Sequence, residues 1–210
     1  MENKRKIYLS PSTAHQIIEN ADVFGLIITP RTGIREVIKN GMEWAMDNDV
    51  YNGKFSYEKW KRQLERYLPY KDTCLFIAIP DVLYNARETL EQYGRYKEEV
   101  KEMGYKRAIV TQDGMREKDI PWEEIEAIFV GGSDKHKRGK EGGRLIRSAK
   151  ERGKWVHIGR INSAKSIEKF KSANSWDGTT ICFEPQMAIG IAAKVREVRM
   201  LENGRTLWDM

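Results

Sequence analysis

Eight short runs, each four to six residues long and stopped by glycine, proline or polar residues, recur through the chain. They cover residues 6–9, 24–29, 43–47, 74–79, 107–111, 127–130, 155–159 and 175–180. Each is too short for a helix, and most are followed by a segment with helical spacing of apolar residues. The clearest such segment, 57–68, sets Tyr57, Trp60, Leu64 and Leu68 on one face and lysines and arginines on the other. A second, 84–103, carries Ala86, Leu90, Tyr93, Val100 and Met103 in one stripe, and Gly104 supplies its stop. Further helices are predicted at 15–20, 33–40, around Leu145–Ile146–Ala149, through Ile167 and Phe170, and over 187–201. Strands alternating with helices build parallel sheets, and eight units predict a compact (β/α)8 TIM-like barrel. At 210 residues the chain lies at the short end of that fold's range of about 200 to 400, so several helices must be clipped or irregular. An open doubly wound sheet is the runner-up, because the first two units are weak.

Composition describes one globular domain over 1–210, with 40% apolar and 32% charged residues. The formal charge of +6 suits a polyanionic partner without requiring one. No run approaches the roughly 18 apolar residues of a membrane span, so no membrane partner is expected. The basic start lacks an apolar segment behind it, which argues against a secretion signal and for a cytoplasmic protein. Two distant cysteines, Cys74 and Cys182, assemble neither a disulfide framework nor a structural zinc site.

Parallel barrels gather their working groups at the carboxyl ends of the strands. Those ends hold Asp47 with Asp49, Asp81, Gln112 with Asp113, Gly131 with Gly132, Arg160 and Asp177. Such a set suits a site that holds a heterocycle and uses carboxylates for acid/base or nucleophilic work. Each member also has a plainer reading. Asp81 after Pro80 makes a good helix N-cap, and 47–49 and 112–114 read as turns. Gly131-Gly132-Ser133 could cradle a phosphate, and the basic loop 135–140 could be a solvated face. His157, Trp155 and Trp176 read as packed core. The recurrence of such groups at successive strand ends favours the functional reading.

The ordered motifs WAMDN (44–48), IPDV (79–82), AIVTQDGM (108–115), PWEEIEAIFVGGS (121–133), KWVHIGRINS (154–163) and WDGT (176–179) carry a resemblance to a known superfamily. Together they resemble the tRNA-guanine transglycosylases, and especially compact viral-type members that act on DNA. The resemblance implies exchange of guanine for a 7-deazaguanine base, without redox or nucleotide cofactors. It implies Asp177 as the nucleophile at the sugar's anomeric carbon and Asp47 as the proton-transfer group. Asp81 and Gln112 match groups that bind the purine edge, Gly131 and Gly132 offer backbone contacts, and Asn48 and Arg160 complete the substrate-binding set.

Three departures shape the expectation. The tRNA-acting relatives carry a zinc site of three cysteines and a histidine near the C-terminus, which is missing here, so no metal is expected. Asn48-Asp49 stands where the family is serine- and glycine-rich, which leaves the acid/base role between Asp47 and Asp49. The short chain lacks the insertions that grip a tRNA stem-loop, so DNA is favoured over tRNA as partner. Lys135, Lys137, Arg138 and Lys140 are the residues expected to hold its phosphates. A tRNA substrate, a base glycosidase, a non-catalytic nucleic-acid-binding barrel and a homodimer remain open at this level.

Overall fold

Parallel strands need crossover connections, and the chain supplies one after each apolar run. The computed structural model describes residues 5–202 and 204. Residues 1–4, part of the stretch read for a secretion signal, lie outside the described residues. The strands are β1 (Ile7–Ser10), β2 (Phe24–Ile28), β3 (Trp44–Met46), β4 (Cys74–Ala78), β5 (Arg107–Thr111), β6 (Ala127–Val130), β7 (Trp155–Ile158) and β8 (Ser175–Asp177). They close in sequential order into a parallel barrel. The open-sheet alternative is ruled out by closure: Leu9 of β1 stands in register with both Gly25 of β2 and Asp177 of β8.

The chain is short because its helices are uneven. Full helices are α3 (Tyr57–Tyr67), α4 (Ala86–Glu102), α6 (Lys140–Glu151) and α9 (Met187–Glu202). Single-turn pieces replace the rest: α1 (His15–Ile18), α2 (Glu36–Lys39), α5 (Asp134–Arg138), α7 (Ala164–Lys169) and α8 (Thr180–Phe183). Between β5 and β6 there are only two 3-10 turns, Glu117–Asp119 and Trp122–Glu124. Asn85 caps α4 by accepting from the Glu88 amide at 3.1 Å, and Gly104, with φ of 79°, ends it in the left-handed conformation. Asp81 is therefore not the cap of α4. The eighth strand ends at Asp177, where the acidic strand end is expected, and residues 180–183 turn into α8. The basic segment 135–140 is helical, not a loop, since Ser133 caps α5 through the His136 amide.

Side chains alternate across each strand, so one parity faces the barrel axis and the other faces the helices. Tyr8, Leu26, Trp44, Ile77, Ile109, Ile128, Val156 and Trp176 join the outer core under the helices. Ile7, Leu9, Ile27, Ala45, Ala78, Ala108, Val110, Ala127, Phe129 and Trp155 fill the interior. Small residues alternate with Phe129, Phe76 and Trp155, so the lumen is packed and is not a pore. In the outer layer, fully buried Trp44 donates to the Tyr70 carbonyl at 3.0 Å and packs on Tyr67 at a centroid distance of 5.1 Å. Truncating it removes apolar burial and one of two donors to the Tyr70 carbonyl, the other being the Thr73 hydroxyl at 3.2 Å. Trp44→Ala is expected to lower unfolding stability by about 3–5 kcal/mol in urea titrations; a loss below about 1 kcal/mol would contradict this packing.

Candidate active site

The inward parity continues past the strand ends. Asp47, Gln112, Gly131, Gly159 and Asp177 are spaced by two, or multiples of two, from Ala45, Val110, Phe129, Trp155 and Ser175 respectively. All eight residues expected to act in catalysis or substrate binding line one cavity of about 380 Å³ at the carboxyl ends of the strands. Tyr51, Tyr84, Asn162 and Thr179 also line it, and these were not singled out from the sequence. Exposed aromatics in loops carry little sequence signal. Tyr51 and Tyr84, 53% and 54% exposed, become legible only as the cavity's rim.

Asp177 ends β8 with one oxygen held. Its Oδ1 lies 3.0 Å from His157 Nε2 and accepts from the Arg160 amide at 3.2 Å. No described residue holds Oδ2. His157 reads from the sequence as packed core, and it is fully buried, its ring edge-on to Phe129 at 4.4 Å. It is nevertheless part of the site, because it contacts the principal carboxylate. The available signal is parity: His157 and Asp177 are each two residues beyond an inward-facing neighbour. Gly178 follows because a Cβ there would sit 2.3 Å from Asn162 Oδ1 and 2.7 Å from the Ile161 carbonyl.

Asp47 stands across the mouth, half-buried, with Oδ1 accepting the Asn48 amide at 2.7 Å. Burial, then the nearby charges of Asp177 and Asp81, raise its pKa from 3.8 to about 7. Placement separates Asp47, which lines the cavity, from Asp49, which does not. Asp49 takes a left-handed conformation (φ 66°) and turns away to pair with Arg31, whose Nη2 lies 3.2 Å from its Oδ1. Burial opposes its charge, but the bonds from Arg31 and Asn52 outweigh it and hold Asp49 below the usual carboxylate range. Asp49 thus anchors the loop after β3.

The remaining polar wall is a fixed network. Asn48 Nδ2 donates to Asp81 Oδ1 at 2.8 Å and to the Ile79 carbonyl at 3.0 Å. Gln112 Nε2 donates to Asp81 Oδ2, while its Oε1 accepts the Tyr84 amide at 2.9 Å. Both amide orientations are thereby specified. Burial raises the Asp81 pKa, with the Asn48 and Gln112 bonds working the other way. Asp113 does not line the cavity; it clasps Ser133, accepting its amide at 2.8 Å and its hydroxyl at 2.5 Å, which pins the Gly131-Gly132 turn. Gly131 is required because a Cβ would meet Val110 at 2.9 Å. Arg160, also left-handed (φ 62°), donates to the Gly132 carbonyl and lies over the Tyr51 ring at 4.6 Å. Among the described residues, the non-glycine ones with positive φ are Asp49, Tyr84 and Arg160, and all three flank this cavity. Strained backbone clusters where geometry serves a function.

The basic segment divides. Lys135, Arg138 and Lys140 are exposed and available to phosphates. Lys137 is not: its ammonium turns inwards to the Gly159 carbonyl at 3.1 Å and to Asp134 at 3.3 Å. Burial, then the charge of Arg160, push its pKa below the ordinary lysine value. Its expected phosphate role is therefore corrected to bracing the strand end beneath Asp177. Arg138 instead lines a side cleft with Arg147 and Lys169. Cys74 is buried and Cys182 exposed, and no cluster of three or more metal-ligating side chains occurs among the described residues. No helix among them is long and apolar enough to cross a membrane.

No family model and no curated protein matches the chain. Solved structures do share its fold. Tryptophan synthase from M. tuberculosis, in an open form, superposes with a TM-score of 0.59 at 11% identity, covering 94% of each chain. The 3-keto-L-gulonate-6-phosphate decarboxylase from Vibrio cholerae superposes with a TM-score of 0.54 at 11% identity, over 92% of this chain and 98% of that one. At such identities the likeness shows a TIM barrel and leaves the chemistry to the site.

The Asp47 shift has a sign that can be tested. Folding raises its pKa from 3.8 to about 7, so the folded state favours the protonated form. Its contribution to stability is complete below about pH 4 and is lost as pH rises through about 7. Asp47→Asn is neutral throughout, so its stability relative to wild type should rise between about pH 4 and about pH 7 and level off above. Parallel stability curves in urea would show that Asp47 titrates normally.

Proposed function

We propose that this protein is a base-exchange transglycosylase that replaces guanine in DNA with a 7-deazaguanine base through a covalent aspartyl-sugar intermediate. The observation that carries the reading is the pairing of two carboxylates in one cavity: Asp47, whose pKa of about 7 suits proton transfer, and Asp177, with one oxygen held and one unpartnered. A general acid/base works best with a pKa near the working pH. A cavity of about 380 Å³ is at the small end of ligand sites and suits one base with its sugar, not a duplex. The target nucleotide is therefore extruded from its stack, with the flanking strand outside on the basic rim.

In the first step Asp177 Oδ2 bonds to the anomeric carbon as the bond to guanine breaks. Asp47, protonated, gives its proton to the departing base. In the second step the incoming base loses its own N–H proton to the Asp47 carboxylate and attacks the same carbon. The ester bond breaks, and Asp177 leaves as carboxylate. Two displacements retain the sugar's configuration, as in retaining glycosidases. Asp81 and Gln112 read the edge of the base, and Tyr51 offers it a stacking face.

Mass spectrometry of nucleosides from DNA incubated with enzyme and a 7-deazaguanine is expected to find the deazapurine in place of guanine. Abasic sites instead would make the protein a glycosidase, and unchanged DNA would leave a binding barrel. Asp177→Asn should abolish exchange, and Asp47→Asn should slow it by about 10²- to 10⁴-fold. Neutralising Lys135, Arg138 and Lys140 should reduce the slope of log affinity against log salt by about one per lost phosphate contact, whatever the DNA sequence. An unchanged slope would make them a solvated face.

A further inference from the structure

Behind Asp177 lies a buried chain of hydrogen bonds with a determined direction. Trp155 Nε1 lies 2.8 Å from Ser175 Oγ, and Ser175 Oγ lies 2.8 Å from His157 Nδ1. His157 Nε2 in turn lies 3.0 Å from Asp177 Oδ1. His157 and Ser175 are fully buried neighbours in register across β7 and β8, and Trp155 is 8% exposed. An indole N–H can only donate, so Ser175 Oγ accepts from Trp155. The serine's single proton then goes to His157 Nδ1, since Ser175 Oγ has no other side-chain partner among the described residues. Nδ1 is thereby an acceptor, and the proton of the neutral ring sits on Nε2, directed at Asp177. The opposite tautomer would face a nitrogen lone pair against a carboxylate oxygen. An imidazolium would strand the serine proton. Phe76 and Phe129 pack on the ring at 5.1 and 4.4 Å and fix its plane.

We infer that Trp155, Ser175 and His157 form a positioning relay that fixes the His157 tautomer, holds Asp177 Oδ1, and leaves Oδ2 as the oxygen presented to the cavity. This deepens the transglycosylase reading and rests on it for the reaction that Oδ2 performs. His157 touches no substrate; it acts through Asp177. Fixing one oxygen matters because a misplacement of about 1 Å at a reacting group can cost on the order of 10²-fold in rate.

The test reads the relay without turnover. The chain has three histidines, so long-range ¹H–¹⁵N correlation spectra of histidine-labelled protein can be assigned by single substitutions at His15 and His136. Wild-type His157 is expected as the neutral Nε2–H tautomer. Ser175→Ala should convert it to a tautomer mixture, and Trp155→Phe should weaken the preference while Ser175 remains. In exchange assays Ser175→Ala should lower kcat by on the order of 10²-fold with KM unchanged, and Ser175→Thr, which restores a hydroxyl, should recover part of it. An Nδ1–H tautomer or an imidazolium in the wild type overturns the relay, as does a Ser175→Ala protein whose tautomer and kcat are both unchanged. If Ser175→Ala does not fold, the wild-type spectrum alone decides the tautomer, and Ser175→Thr decides the kinetic effect. An Nε2–H tautomer in a wild-type protein that exchanges no base supports the relay and sinks only the functional reading.

Discussion

A strand in a closed barrel can send only alternate side chains inwards, and this constraint decides everything that follows at the mouth. Once Leu9 stands in register with Asp177 and His157 with Ser175, the inward set is fixed for the whole ring. Below, it is apolar and fills the lumen. At the carboxyl ends the same parity delivers Asp47, Gln112 and Asp177 to one small space. A one-residue slip in any strand would exchange its inner and outer sets, sending Asp177 under the helices and Trp176 into the mouth. The large outer residues, Trp44 and Trp176 among them, therefore protect the site by making such slips costly.

Crowding then sets the electrostatics. Asp47, Asp81 and Asp177 line one cavity, and burial opposes the charges of Asp47 and Asp81. The surroundings of each differ. Asp81 accepts from two amide donors, Asp177 is steadied by His157 and a backbone amide, and Asp47 is left to hold a proton. Asp49, two residues from Asp47 in sequence but turned away from the cavity, keeps its charge by pairing with Arg31. Environment, not residue type, separates the roles of neighbouring aspartates.

The sequence made much of this visible. Eight short runs with helical spacers indicate the barrel, and the motifs at their ends point to eight of the residues that line the cavity. What stayed hidden has physical causes. Asp47 and Asp49 differ only through a left-handed backbone turn, which two adjacent turn formers do not reveal. Lys137 sits in a run of cations that looks uniformly solvated, and only the cap at Ser133 turns that run into a helix with one face inwards. His157 reads as core because it is core; its contact with Asp177, twenty residues along the chain, becomes visible only once β7 and β8 are paired. Tyr51 and Tyr84 lie in loops, where spacing carries no orientation.

The central claim is that Asp177 bonds covalently to the sugar while the base is absent from it. The direct measurement is to incubate wild-type protein with guanine-containing DNA, quench in denaturant without any incoming base, digest, and map the modified peptide by mass spectrometry. The account predicts a deoxyribose-linked mass on the peptide containing Asp177 and on no other carboxylate. A sugar adduct on Asp47, Asp49 or Asp81, or base exchange at full rate by Asp177→Asn protein, would contradict it.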